Sequence, residues 1–232
     1  MKRPRFAFLF LPLLLLLLAA CGAPVPQATP TQPPAAATAA PAAAGVTIFV
    51  IDPDQSQASY TVHEQFLENA LSKLGIKPGK TTVTGVTKQV TGEIRVNLED
   101  ISQTPAGTVI KVDLTGLKTD QSRRDKWIQE KGPTFQKYAT ATFQATEIRN
   151  APTAYTEGEE ITFQLAGDLT IRDVTNPVVF DVTAKVENGV LTGAAVTQIK
   201  MSDFGIEPPD FAKTLTVGDD VTIEVKIVAK QQ

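Results

Sequence analysis

The chain of 232 residues has one cysteine, one histidine, one tryptophan and three tyrosines. A single cysteine excludes an internal disulfide, so any folded part must be stable through its core. A single histidine, His63, with no second histidine four positions on, excludes a metalloprotease helix and leaves no zinc-ligand spacing. No Gly-x-Ser-x-Gly elbow and no glycine-rich phosphate loop occurs. His63 is read as a surface residue near a strand end, and the acidic pairs Glu159-Glu160 and Asp219-Asp220 as solvated turn residues. These absences leave no metal, no cofactor, no catalytic set and no expected enzyme. What is plentiful is aliphatic and β-branched sequence.

The lone cysteine is placed tellingly. Cys21 follows Lys2, Arg3 and Arg5, a short apolar run broken by Pro12, and the close Leu18-Ala19-Ala20-Cys21-Gly22. The run is short of the roughly 20 residues that span a bilayer, and the order of features is that of a secretory signal peptide. Its last residues resemble a bacterial lipobox, where cleavage precedes a cysteine that then carries diacylglycerol. The alternatives are an ordinary signal peptide with a chance cysteine, or an uncleaved anchor. The expectation is a signal peptide over 1–20, lipidation of Cys21, and export to the outer face of a bacterial membrane in the cell envelope or periplasm.

Cleavage there leaves 19 of the 22 basic residues against 25 acidic ones, a net charge of −6. Such a chain is wrong for nucleic acid, whose phosphates reward clustered Lys and Arg. It gains no electrostatic help at an anionic membrane, so attachment falls to acyl chains. Residues 22–45 carry proline, alanine and threonine and neither a charge nor an aromatic. That composition cannot bury a core and reads as a disordered, semi-extended linker.

From Val46 to Gln232 the pattern changes to period-two alternation. Ala58, Tyr60 and Val62 alternate with polar neighbours, as do Ile94, Val96 and Leu98, then Ile110, Val112 and Leu114. Ile161, Phe163 and Leu165 repeat it, followed by Val178, Phe180 and Val182, and by Val221, Ile223 and Val225. Weaker strand signals lie at 47–51, 141–148 and 190–200. One wet and one apolar face per strand indicates antiparallel sheet. About eight such strands close as a barrel or stack as a sandwich, and a barrel removes exposed edges. Asn188-Gly189 is the strongest hairpin signal. Two stretches break the rhythm and are expected as short helices near the barrel openings, 64–74 and 122–131. In the second, Ser122 is the expected cap, three residues before Asp125.

Five segments together resemble the YceI family of lipocalin-like, polyisoprenoid-binding proteins: residues 84–92, 117–125, 138–143, 167–180 and 202–206. The resemblance implies an all-β domain over 46–232, an eight-stranded antiparallel lipocalin-like β-barrel with one or two short helices. It further implies an apolar channel for one isoprenoid-like or other long-chain amphiphile. Tyr60, Val112, Phe143, Phe163 and Phe180 are then candidate ligand contacts on the wall, with Ile94 and Ile223 beside them. Trp127, Phe135, Phe204 and Phe211 are candidates at the rim, and Arg124 and Asp125 form a polar motif at the barrel mouth. Each apolar position is equally an ordinary core residue. Three departures from the family pattern stand out: Asp173 for a glycine, Gln55 for a histidine, and a longer segment over 64–80. The expected function is binding or carrying a lipid at the envelope, the expected partners being that lipid and the membrane through the anchor. A homodimer is left open. The alternative is a filled barrel displayed as a structural or interaction domain.

Overall fold

Alternation becomes antiparallel sheet almost everywhere it occurs, in a computed structural model that describes residues 45–66, 79–103, 107–211 and 215–232. The first four strands are β1 (Val46–Ile51), β2 (Gln57–Phe66), β3 (Gly79–Thr87) and β4 (Val90–Asn97). After β5 (Val109–Asp113) come helix α1 (Ser122–Glu130), β6 (Thr140–Arg149) and β7 (Ile161–Ile171). Then follow β8 (Val174–Glu187), β9 (Val190–Lys200), the short β10 (Asp210–Phe211) and β11 (Leu215–Val217), and β12 (Asp220–Gln231).

Eight of these strands close a ring in the order β1-β4-β5-β6-β7-β8-β9-β12, with β12 returning to β1 through Phe49–Gln231, Val50–Lys230 and Ile51–Ala229. The expected all-β, eight-stranded antiparallel barrel is therefore the fold, and α1 is the one α-helix among the described residues. Closure satisfies the backbone groups that an open sheet would leave at its edges.

The ring is not uniform along its axis. One side of β12 pairs with β9 throughout, but the other side is shared. Its first half pairs with β2, from Thr222–Thr61 to Lys226–Gln57, and its last residues pair with β1. The hairpin β2–β3 thus leaves the ring at one end, here called the upper end. The segment from Leu114 to Ala139, carrying α1, fills the space beside it. Leu114 N–H donates to the Ala139 carbonyl at 2.7 Å, and Val86 and Lys118 exchange backbone hydrogen bonds at 2.8 and 2.9 Å. A buried cluster with Leu117, Ile128, Phe143 and Phe180 occupies the upper half, and one with Phe49, Val90, Leu191 and Ala229 the lower half.

Turn chemistry follows the residues that permit it. Asn188 and Gly189 take φ of 52° and 72°, the mirror-image hairpin their sequence requires. At the β7–β8 turn only Arg172 takes positive φ, 59°, so Asp173 stands where the backbone does not demand glycine.

Two local expectations are corrected. Residues 64–66 are not helical: they extend β2, because Glu64 and Phe66 keep the inward phase set by Ala58, Tyr60 and Val62. The rest of the expected helix to 74 lies outside the described residues. At α1 the cap position is Gln121 with no side-chain bond, and Ser122 is already helical. Asp125 instead ties the approach to the helix, accepting from Thr119 N–H at 2.8 Å and Thr119 Oγ1 at 2.7 Å.

Strand β3 has no sequence signal of its own, since its inward residues are Val83, Gly85 and Thr87. Gly85 is nevertheless constrained. It pairs with Tyr60, whose ring lies over it, and a Cβ there would stand 2.2 Å from Tyr60 Cε1. Gly85→Ala is expected to cost about 1–3 kcal/mol through overpacking. The urea midpoint reads this, and the cost should shrink in a Tyr60→Leu background, where the ring is gone.

Candidate functional site

The departure of β2 and β3 from the ring leaves a cavity of about 500 Å³ in the upper half of the barrel. Strand β2 supplies one wall from every second residue, Ala58, Tyr60, Val62, Glu64 and Phe66. Opposite it stand Val112 from β5, Phe143 from β6 and Phe180 from β8. Phe143 and Phe180 meet edge to face with ring centroids 5.0 Å apart, a geometry that favours aromatic pairs. The Phe143 ring lies over Gly167, where a Cβ would come within 2.5 Å of it. Glycines on β3 and β7 thus make room for large rings without pushing the walls apart.

Helix α1 and the β10–β11 ribbon form the mouth. Trp127 and Ile128 of α1 reach the cavity, and Phe211 meets Trp127 edge to face at 5.6 Å. Phe211 is 44% exposed, so this aromatic pair stands where the cavity meets solvent. Phe135 and Phe204 are buried on the cavity wall, held by the turns that follow α1 and β9. Ile223 of β12 lines it as well.

Phe163 and Ile94 do not. Both face inward, but at the lower end, where they line a separate cavity of about 90 Å³. Alternation had grouped them with the upper wall because it reports the face of a strand and not the level along the barrel.

Polar groups at the mouth form a connected set. Glu64 is buried and grips Arg124 with two parallel contacts, Oε1 to Nε at 3.1 Å and Oε2 to Nη2 at 3.3 Å. Arg124 Nη1 also donates to Thr119 Oγ1 at 3.2 Å and to Asp120. Burial works against the guanidinium charge, but the hydrogen bonds to Asp120 and Glu64 outweigh it and hold Arg124 above its ordinary pKa. Arg124 therefore lines the cavity while tying α1 to β2. Asp125 does not line it; its carboxylate is buried behind the helix start on Thr119. The predicted pair is split into a wall residue and a positioning residue.

Tyr60 is the remaining polar group deep in the wall. Among the described residues its hydroxyl has no hydrogen-bond partner. Burial pushes the phenol up to about 12, ahead of the smaller opposing effect of Arg124. It stays a hydrogen-bond donor throughout the neutral range.

Glu64 was not anticipated, because the stretch after His63 read as a helix. The signal was present: Ala58, Tyr60 and Val62 set a phase that Glu64 and Phe66 continue. Leu117, Met201 and Ile206 also line the cavity, from turns that carry no periodic signal. His63 points outward in mid-strand, with Nδ1 3.4 Å from Thr82 Oγ1.

Removing Glu64 leaves Arg124 with a single exposed acidic partner, so Glu64→Ala is expected to cost about 3 kcal/mol. Replacing both residues with methionine should cost less than Glu64→Ala alone, since no unpaired charge remains. Chemical denaturation of the three proteins checks the order.

Comparison with known proteins places this geometry. A model of the YceI-like domain matches residues 49–229. A UPF0312 protein of Pseudomonas putida strain W619 is 32% identical over 132 residues, 53% of this chain and 65% of the relative. The matched part thus spans just under two thirds of that relative's length. Among solved structures, a polyisoprenoid-binding domain from Saccharophagus degradans implicated in plant cell wall breakdown aligns with TM-score 0.58 and 12% identity. That alignment covers 79% of this chain and 98% of the other. BcnA of Burkholderia cenocepacia aligns with TM-score 0.56 and 18% identity, over 78% of this chain and 99% of the other. At these identities the structures speak for the fold. The domain match, covering nearly all of the barrel, carries the conclusion that the chain belongs to the YceI-like domain family.

Proposed function

We propose that this protein binds one long-chain amphiphile, with an isoprenoid or alkyl tail, inside the upper half of its barrel and carries or holds it at the cell envelope. The observation that supports it most is the cavity itself. Its volume of about 500 Å³ lies in the range of small-molecule sites, roughly 300–1,000 Å³. Its walls are mainly aliphatic and aromatic side chains, with Tyr60 and Glu64 on β2 and Gln121, Arg123 and Arg124 at the start of α1 among its few polar residues. A filled barrel serving only for display would close this space with side chains, as barrels of eight strands can.

The tail lies along Phe143, Phe180, Leu169 and Ile223, and the head faces Tyr60 and the mouth. The polyisoprenoid-binding domain from Saccharophagus degradans has the same fold, which supports a prenyl tail among the candidates. Lipidation of Cys21, outside the described residues, keeps the barrel close to a membrane that supplies such molecules. Two acyl chains or more are needed for a stable anchor.

Two measurements test this. Native mass spectrometry of the barrel, residues 45–232, is expected to show one apolar molecule that solvent extraction removes and that an added polyprenyl alcohol replaces. Failure to find or load any such molecule would sink the reading. In cells, Cys21→Ser is expected to abolish labelling by a fatty acid and release the protein from the membrane fraction; retained labelling would refute the anchor.

A further inference from the structure

Four side chains belong to both cavities: Ile110 of β5, Leu165 of β7, Ala195 of β9 and Val225 of β12. They come from four strands spaced around the ring, and two of them, Ala195 and Val225, are directly paired. Above them lies the space of about 500 Å³, below them the space of about 90 Å³. No charged group stands among the four. The separation is made of branched aliphatic tips and one alanine methyl.

We propose that Ile110, Leu165, Ala195 and Val225 are the floor of the binding cavity, setting the longest tail the protein accepts in full. This rests on the amphiphile-binding reading and adds a specificity determinant to it. A tail entering from the mouth gains apolar burial for each carbon that descends past the wall formed by Phe143 and Phe180. At the floor it meets side chains packed from several strands, and moving them means disturbing the barrel core. Carbons beyond that point stay at the mouth and gain little. The floor is a ruler because a β-barrel wall cannot shift at one level without straining its paired strands.

The lower cavity makes the ruler adjustable. Its walls, Phe163, Ile94 and Ile161 among them, are already apolar. Shortening Leu165 would join the two spaces into one channel rather than open a pocket to water. Enlarging Ala195 would raise the floor without removing any packing.

The test uses linear primary alcohols of increasing length as probes, with the barrel of residues 45–232 and native mass spectrometry or displacement of a fluorescent fatty alcohol. In the wild type, affinity is expected to rise about fourfold per added methylene and then level off at one chain length. Leu165→Ala should move that length upward, so that alcohols past the wild-type limit keep gaining about fourfold per carbon. Ala195→Val should move it downward. Thermal unfolding of each variant is measured alongside; if Leu165→Ala does not fold, Ala195→Val alone decides. A limit unchanged in a folded variant overturns the floor. If no alcohol of any length binds the wild type, the binding reading itself falls and the floor with it.

Discussion

Everything inside this barrel depends on how one residue's backbone is satisfied. Val228 lies on β12 at the point where the neighbouring edge changes from β2 to β1. No strand residue pairs with it on that side, and unpaired buried backbone groups are costly. The connection between the two strands supplies the partners. Asp52 N–H donates to the Val228 carbonyl at 2.8 Å, Ser56 Oγ donates to the same carbonyl at 3.3 Å, and Val228 N–H donates back to Ser56 Oγ at 3.1 Å. Ser56 is 2% exposed, a hydroxyl spent entirely on this junction. Asp52 is fixed in turn by Lys230 and Gln55, each at 2.8 Å, and these contacts lower its pKa.

A matching junction lies across the β2–β3 hairpin. Thr87, also 2% exposed, donates to the Asp113 carbonyl at 3.0 Å and accepts from Gln89 N–H at 3.2 Å, while Asp113 N–H donates to the Gln89 carbonyl. Here the chain passes from β3 to β4. Ala58 and Thr87 are paired, so both junctions sit at nearly the same level. Above it, β2 and β3 swing away and α1 enters; below it, β1 and β4 close the ring tightly. Large space above and small space below follow from two buried hydroxyls that let two strands break without leaving orphan backbone groups.

This explains which parts of the molecule the sequence displays. Alternation reads the pleat, so the strands of the ring, their inward faces and the Asn188-Gly189 hairpin are visible from residue types alone. Breaks within strands are not, because Ser56 between two glutamines and Thr87 before Lys88 look like ordinary polar residues. Strand β3 is hidden for a related reason: Gly85 is inward so that Tyr60 has somewhere to lie, and a glycine carries no apolar signal. Phe163 and Phe180 are indistinguishable by pattern although they occupy different levels. Glu64 is the most instructive case. A buried carboxylate in an inward phase contradicts the rule that strand interiors are apolar, and only its partner Arg124, sixty positions away in sequence, makes the position legible.

On the proposed amphiphile-binding reading, the mouth bears on what kind of head can dwell there. Arg124 faces two carboxylates, Glu64 and Asp120, and Asp125 lies just behind on Thr119. Its charge is already answered inside the protein, and a bidentate guanidinium has little donor capacity left for a phosphate. At Arg124 a strongly anionic head would gain little, with Glu64 and Asp120 already on the guanidinium; the cation left for it is the exposed Arg123 beside it on the lining. Tyr60, by contrast, presents a hydroxyl that no described residue engages and that stays protonated far above neutral pH. Under that proposed reading, a neutral head leaves discrimination at this site mainly to the tail. A close fit of methylenes contributes about 0.8 kcal/mol each, whereas a single neutral hydrogen bond at the head adds about 1 kcal/mol net. A few carbons outweigh the head.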